Sequence, residues 1–155
     1  MPKIISFTVL FTALFFAGPL GAQQKLNVYQ TEYLTSKINL SLNKLFAALQ
    51  EERYLDTAYG LGTVKSKEQV TAEEFALRMN QNPWKILTAE SKLTKLDIKT
   101  FTYALIEYDM TFARKLNKGE KVTIKILLQT FYEKQKDGEE WRFDLFEIMT
   151  LPLKI

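Results

Sequence analysis

The sequence predicts an α+β domain in which N-terminal helices pack on the concave face of a curved antiparallel sheet of about four strands. Three observations carry this expectation. Apolar residues from Leu34 to Leu49 recur at three- and four-residue steps, the period of a helix buried along one side. Beyond Trp84 the period falls to two, that of strands with one buried face. Asn117-Lys118-Gly119 and Asp137-Gly138 then punctuate the second half at the places where hairpins would turn. Helices followed by an antiparallel meander bury their apolar surfaces best as two layers, with the helices on one side of the sheet.

The first element is a targeting segment. Lys3 is followed by Ile4 to Ala17, 14 residues without a charge. Gly18-Pro19 breaks the run, and Gly21-Ala22 supplies small residues before Gln23-Gln24. This is the three-part plan of a secretory signal peptide, residues 1–22, with cleavage near Ala22. The apolar run is shorter than the roughly 20 residues that a membrane span needs. Leu20, third from the cut, is larger than the residue usual there, and an uncleaved anchor is the alternative. Residues 23–155 then form a single domain, a size at which one chain buries a real core.

Residues 26–59 read as one long helix. Leu34, Ile38, Leu42, Leu45, Phe46 and Leu49 make its apolar stripe, and Gly60 and Gly62 end it. Thr71 caps a second helix, with Glu74 placed to complete a capping box and Val70 and Phe75 placed as a hydrophobic staple. Asn82-Pro83 stops that helix. Strands follow over 92–101, 103–115 and 120–134. The middle one sets Ala104, Ile106, Tyr108, Met110 and Phe112 on one face, against Leu105, Glu107, Asp109 and Thr111. The next sets Val122, Ile124, Ile126 and Leu128 against Lys121, Thr123 and Lys125. After Asp137-Gly138, residues 139–148 read as the closing strand, with Trp141, Phe143 and Leu145 opposite Arg142 and Asp144.

Composition narrows the chemistry. The chain has no Cys and no His. Thiol nucleophiles, disulfides, Cys/His zinc sites, Ser-His-Asp triads and a lipid anchor on cysteine are therefore excluded for it. Acid–base work would fall to Asp, Glu, Tyr or Lys. No carboxylate spacing of the calcium-loop kind occurs, and no metal site or cofactor is expected. Lys plus Arg total 21 against 18 for Asp plus Glu, interspersed along the chain. That balance describes a mixed solvated surface and no nucleic-acid partner. Export without cysteines points to a bacterial periplasm or secretion. The sequon Asn39-Leu40-Ser41 falls inside the helical pattern and reads as coincidence.

The order of elements, with "LFAALQEERYLDTAYG" as first helix, "VTAEEFALRM" as second and "DGEEWRFDLFEI" as terminal hairpin, resembles the nuclear-transport-factor-2-like superfamily. This is the cone-shaped α+β class that includes ketosteroid isomerase and scytalone dehydratase, and the likeness spans nearly all of residues 23–155. It implies a pocket between helices and sheet and a homodimer through the exposed sheet face. It implies no particular activity, because the fold hosts enzymes, adaptors and binding domains alike. The dehydratase pattern uses His, absent here. The isomerase pattern sets a Tyr with two pocket acids, and no motif here aligns with it, so no catalytic residue is carried over.

Candidate site residues follow from chemistry and from this likeness. Phe46, Phe75, Trp84, Tyr103, Tyr108 and Phe112, with Phe131, would line an apolar cavity or simply fill the core. Glu107 and Asp109 would be an acid pair or would lie on the solvated face. Trp141 and Arg142 would be an exposed recognition pair or a hairpin anchor bonded to an acid. The leading expectation is an exported, non-enzymatic binding domain of the cell envelope, taking a small apolar ligand or a protein partner. A cofactor-free isomerase or hydrolase-like enzyme is the alternative, and a membrane-anchored envelope assembly subunit a third reading.

Overall fold

The computed structural model describes residues 25–152; the proposed signal peptide and its cleavage site lie outside them. The architecture is α+β, with helices leading into a strongly curled antiparallel sheet, a half-barrel. Helix α1 (Val28–Leu49) starts at Asn27, whose side chain accepts a 2.8 Å hydrogen bond from the Gln30 N–H. The Gln30 side chain in turn accepts from the Asn27 N–H at 2.9 Å. This reciprocal capping box satisfies two of the backbone donors that a helix start leaves open. The stripe Leu34, Ile38, Leu42, Leu45 and Phe46 is buried along the length of α1.

The long helix expected over 26–59 breaks after Leu49. The next stripe positions are Glu52 and Arg53, which offer nothing to bury, and Glu51 is extended. A short 3-10 turn (Glu52–Tyr54) redirects the chain, and α2 (Leu55–Gly60) returns Leu55 and Ala58 to the core. Helix α3 (Val64–Gln69) follows, then α4 (Ala72–Gln81). Thr71 caps α4 as expected, its hydroxyl accepting from the Glu74 N–H at 3.1 Å, and Val70 and Phe75 are both buried. The Glu74 carboxylate pairs with Arg78 at 2.8 Å, one turn further along α4.

Strands β1 (Trp84–Ile86) and β2 (Lys92–Thr100) both pair with β3 (Tyr103–Arg114), followed by β4 (Lys121–Gln135) and β5 (Gly138–Phe143). Ala104, Ile106, Met110 and Phe112 point inward and are fully buried, as alternation predicts. With Ile126 and Leu128 they meet α1 in one apolar core. The outer face carries matched charges. Asp109 stands between Lys92 and Lys125 across the strands, and Glu107 faces Lys95.

The closing strand is shorter than the sequence suggests. Asp144 ends it by accepting from the Phe146 N–H at 2.8 Å, and Leu145–Met149 form helix α5. Leu145, Ile148 and Met149, at steps of three and four, are the buried residues of α5, so helical spacing prevails over strand alternation there. Beyond Phe143, the Glu147 carboxylate accepts from the backbone and side-chain N–H groups of Gln129 at 3.1 and 2.9 Å. It stands where a strand partner would otherwise be needed.

Sheet and helices are tied at Gly62. The Phe143 N–H donates to Leu61 O and the Thr63 N–H to Phe143 O, both at 2.9 Å. A Cβ on Gly62 would fall 2.7 Å from Cγ of the fully buried Leu145, whereas one on Gly60 meets nothing within 4 Å. Gly62→Ala should therefore cost about 1–3 kcal/mol of unfolding free energy, while Gly60→Ala should stay within about 0.5 kcal/mol of wild type. Denaturant titration of both variants checks this, and equal losses would contradict the close approach at Gly62.

Candidate functional site

A second helical stripe runs along α1 beside the core stripe. Tyr33, Lys37, Leu40 and Lys44 follow steps of four, three and four, which set them on one face. Opposite this face stand the β2–β3 turn, with Phe101 and Thr102, and the β4–β5 hairpin, with Tyr132, Glu139, Glu140 and Trp141. Between them lies an open groove of about 840 Å³. Leu34 and Trp141 are buried beneath it. Tyr33, Leu40, Phe101 and Tyr132 remain 63%, 65%, 42% and 38% exposed, so the groove presents large apolar side chains to solvent. An exposed apolar patch rimmed by polar groups makes this groove the candidate site among the described residues.

The rim is electrostatically ordered. Lys44 donates to Glu140 at 3.2 Å. The Tyr132 hydroxyl donates to Glu139 at 2.8 Å. That bond lowers the pKa of Glu139 below the ordinary glutamate value and raises that of the Tyr132 phenol. The carboxylate becomes a weaker base and the phenol a weaker acid. Both directions run against general acid–base work near neutral pH, which needs the two values drawn toward the working pH.

None of the six predicted pocket residues lines this groove. Phe46 and Tyr108 are brought together edge to face, with centroids 5.1 Å apart, and Phe112 lies further along the same inner face as Tyr108. Burial raises the pKa of the Tyr108 phenol. Phe75 packs on Tyr59 at 5.9 Å in the helical layer. Trp84 lies at the far end of β3 beneath the Arg114 guanidinium, 4.6 Å from its ring centroid. Tyr103 stacks on Phe131 on the outer face at 5.2 Å. The six are thus spread over the core, both sheet faces and both ends of β3. The groove residues were less conspicuous in sequence. Trp141, singled out as a recognition or anchor residue, does lie against the groove; the further signal was Tyr33 and Leu40, apolar residues lying off the core stripe.

Glu107 and Asp109 stand on the outer face, opposite lysines in register. Trp141 and Arg142 are both buried. Arg142 Nη1 donates to Gly60 O at 2.6 Å, and Nη2 donates to Asp137 Oδ1 at 2.8 Å and to Gly138 O at 3.0 Å. Lys67 Nζ donates to the same Gly60 carbonyl at 2.8 Å. Burial, and then the Arg142 charge, lowers the Lys67 pKa. Arg142 therefore clasps the end of α2 to the β4–β5 turn, where Gly138 holds a φ of +131° that L side chains rarely adopt.

Among the described residues no group of three or more Asp or Glu side chains is placed to hold a metal ion, and no helix is long and apolar enough to cross a membrane. No protein-family model and no curated protein matches the chain.

The Arg142 hydrogen bond lowers the Asp137 pKa. A group depressed on folding stabilises above its unfolded pKa, near its ordinary value of 3.8, and that stability is lost as pH falls through the folded pKa. Asp137→Asn should therefore be less stable than wild type at neutral pH, with the two converging as acid protonates Asp137. Arg142→Met should cost about 2–4 kcal/mol at neutral pH, since it removes the donors from Gly60, Gly138 and Asp137 together. Urea titrations across pH check both expectations.

Proposed function

We propose that this chain is an exported binding domain and that the groove beside α1 takes up a small apolar ligand. The observation that carries this reading is the groove itself. Its volume suits a drug-sized molecule, and its walls are apolar side chains left exposed although a packed core lies directly beneath. The pKa directions of Tyr132 and Glu139 argue against these two groups as a general acid–base pair. The half-barrel with helices on its hollow side is compatible with the nuclear-transport-factor-2-like cone, and we take membership of that superfamily as part of the proposal. Export rests on the residue pattern of 1–22. A purified periplasmic or secreted product whose intact mass lacks about 22 residues would support it.

A homodimer through the outer sheet face is the partner reading. Leu105 and Leu127 are apolar there, and the cross-strand rows of Lys92, Asp109 and Lys125 and of Lys95 and Glu107 would be self-complementary under a two-fold axis. Sedimentation of wild type and Leu127→Glu would separate dimer from monomer.

The groove is tested with N-phenyl-1-naphthylamine, a neutral apolar probe whose fluorescence rises on leaving water. Wild type should bind it. Leu40→Glu should bind at least about tenfold more weakly, because a charge replaces apolar wall. Leu77→Glu, on an exposed apolar site of α4 away from the groove, should bind as wild type does. Equal binding by Leu40→Glu and wild type would refute the groove as the site.

A further inference from the structure

Four charged side chains border the groove: Lys37, Lys44, Glu139 and Glu140. Both acids are already matched. Glu140 accepts from Lys44 at 3.2 Å, with Arg142 Nη2 at 3.9 Å. Glu139 accepts from the Tyr132 hydroxyl at 2.8 Å and has Lys134 at 3.6 Å. Lys37 differs. Its ammonium lies 5.6 Å from the Tyr33 ring centroid and has no carboxylate within ion-pair distance among the described residues. The groove therefore has apolar walls, internally neutralised acids and one cation left over.

From this charge balance we infer that the groove's ligand is an amphipathic anion, an apolar chain or ring system bearing one carboxylate or comparable acidic head that pairs with Lys37. The inference rests on the groove being the binding site. A neutral ligand lying against Tyr33 and Leu40 would strip water from the Lys37 ammonium and return nothing to it, whereas an anionic head replaces that water with a charge-assisted hydrogen bond. Lys37 is exposed and shares the groove wall with Tyr33 and Leu40, so a cationic head stands beside apolar side chains, the arrangement an amphipathic guest requires. From Lys37 to Lys44 the α1 axis advances about 10 Å, a length comparable to an extended acyl chain of roughly eight to ten carbons.

The experiment displaces bound N-phenyl-1-naphthylamine with three ligands of one chain length: decanoate, 1-decanol and decylammonium. Decanoate should bind at least about threefold tighter than 1-decanol at low salt, the scale of a rim ion pair, and decylammonium weakest. The preference for decanoate should vanish in Lys37→Met, persist in Lys37→Arg, and fade at about 1 M salt. Lys37 is exposed, so these variants should fold as wild type does. Equal affinities for decanoate and 1-decanol, tighter binding of decylammonium, or a preference that survives Lys37→Met would each overturn the anionic ligand while leaving the groove intact. If wild type binds the probe but none of the three displaces it, the amphipathic ligand is overturned alone; if wild type fails to bind the probe at all, the groove reading falls first.

Discussion

The helical layer and the sheet depend on one crossing, where the chain after α2 runs beside the end of β5. Two backbone hydrogen bonds join Leu61 and Thr63 to Phe143, and only a residue without a Cβ lets the strands approach with Leu145 packed against them. Arg142 reinforces the crossing from within. Its buried guanidinium reaches the carbonyl that ends α2 and the acid and carbonyl of the β4–β5 turn. Removing such a charge from water is costly, and the cost is partly offset because three of its five N–H donors find an oxygen. One donor, Nε, has no partner.

That crossing also shapes the groove. It sets how β5 lies against α1, and the hairpin end of β4 and β5 forms one wall while the second stripe of α1 forms the other. Trp141 supplies the link. Its ring is buried and tilts against Tyr132 with centroids 5.9 Å apart, so a core anchor and a groove residue share one contact. Lys44 and Glu140 bridge the two walls directly. The groove is thus built mainly on a helix and two strands held by the core, with the β2–β3 turn adding Phe101 and Thr102.

The sheet's free side is guarded. Strand β2 carries Lys92, Lys95 and Lys99, and its register with β3 shifts twice within nine residues. Charged edge residues and bulges discourage a second chain from adding itself to the ladder. On the opposite side, the Glu147 carboxylate bonds Gln129 where β5 has already turned away. The two edges are therefore blunted by different means, one by side-chain charge and one by a helix-borne acceptor.

Much of this architecture was legible because local periodicity and turn chemistry act over a few residues. The inward set of β3, the Thr71 cap with Val70 and Phe75, and the helix-then-sheet order could all be read without coordinates. Three things could not. The break after Leu49 and the switch from strand to helix at Asp144 depend on what the flanking apolar residues pack against, which periodicity in a single segment does not specify. The partners of Arg142 come from positions as distant as Gly60. The groove is the clearest case, because it forms from residues about a hundred positions apart, Tyr33 and Leu40 facing Tyr132 and Trp141. The sequence by itself determined which faces must be buried, since burial follows from alternation and spacing. Only the tertiary structure decided which apolar side chains stay exposed and which charge remains unmatched, because both are properties of surfaces that meet only when the chain closes.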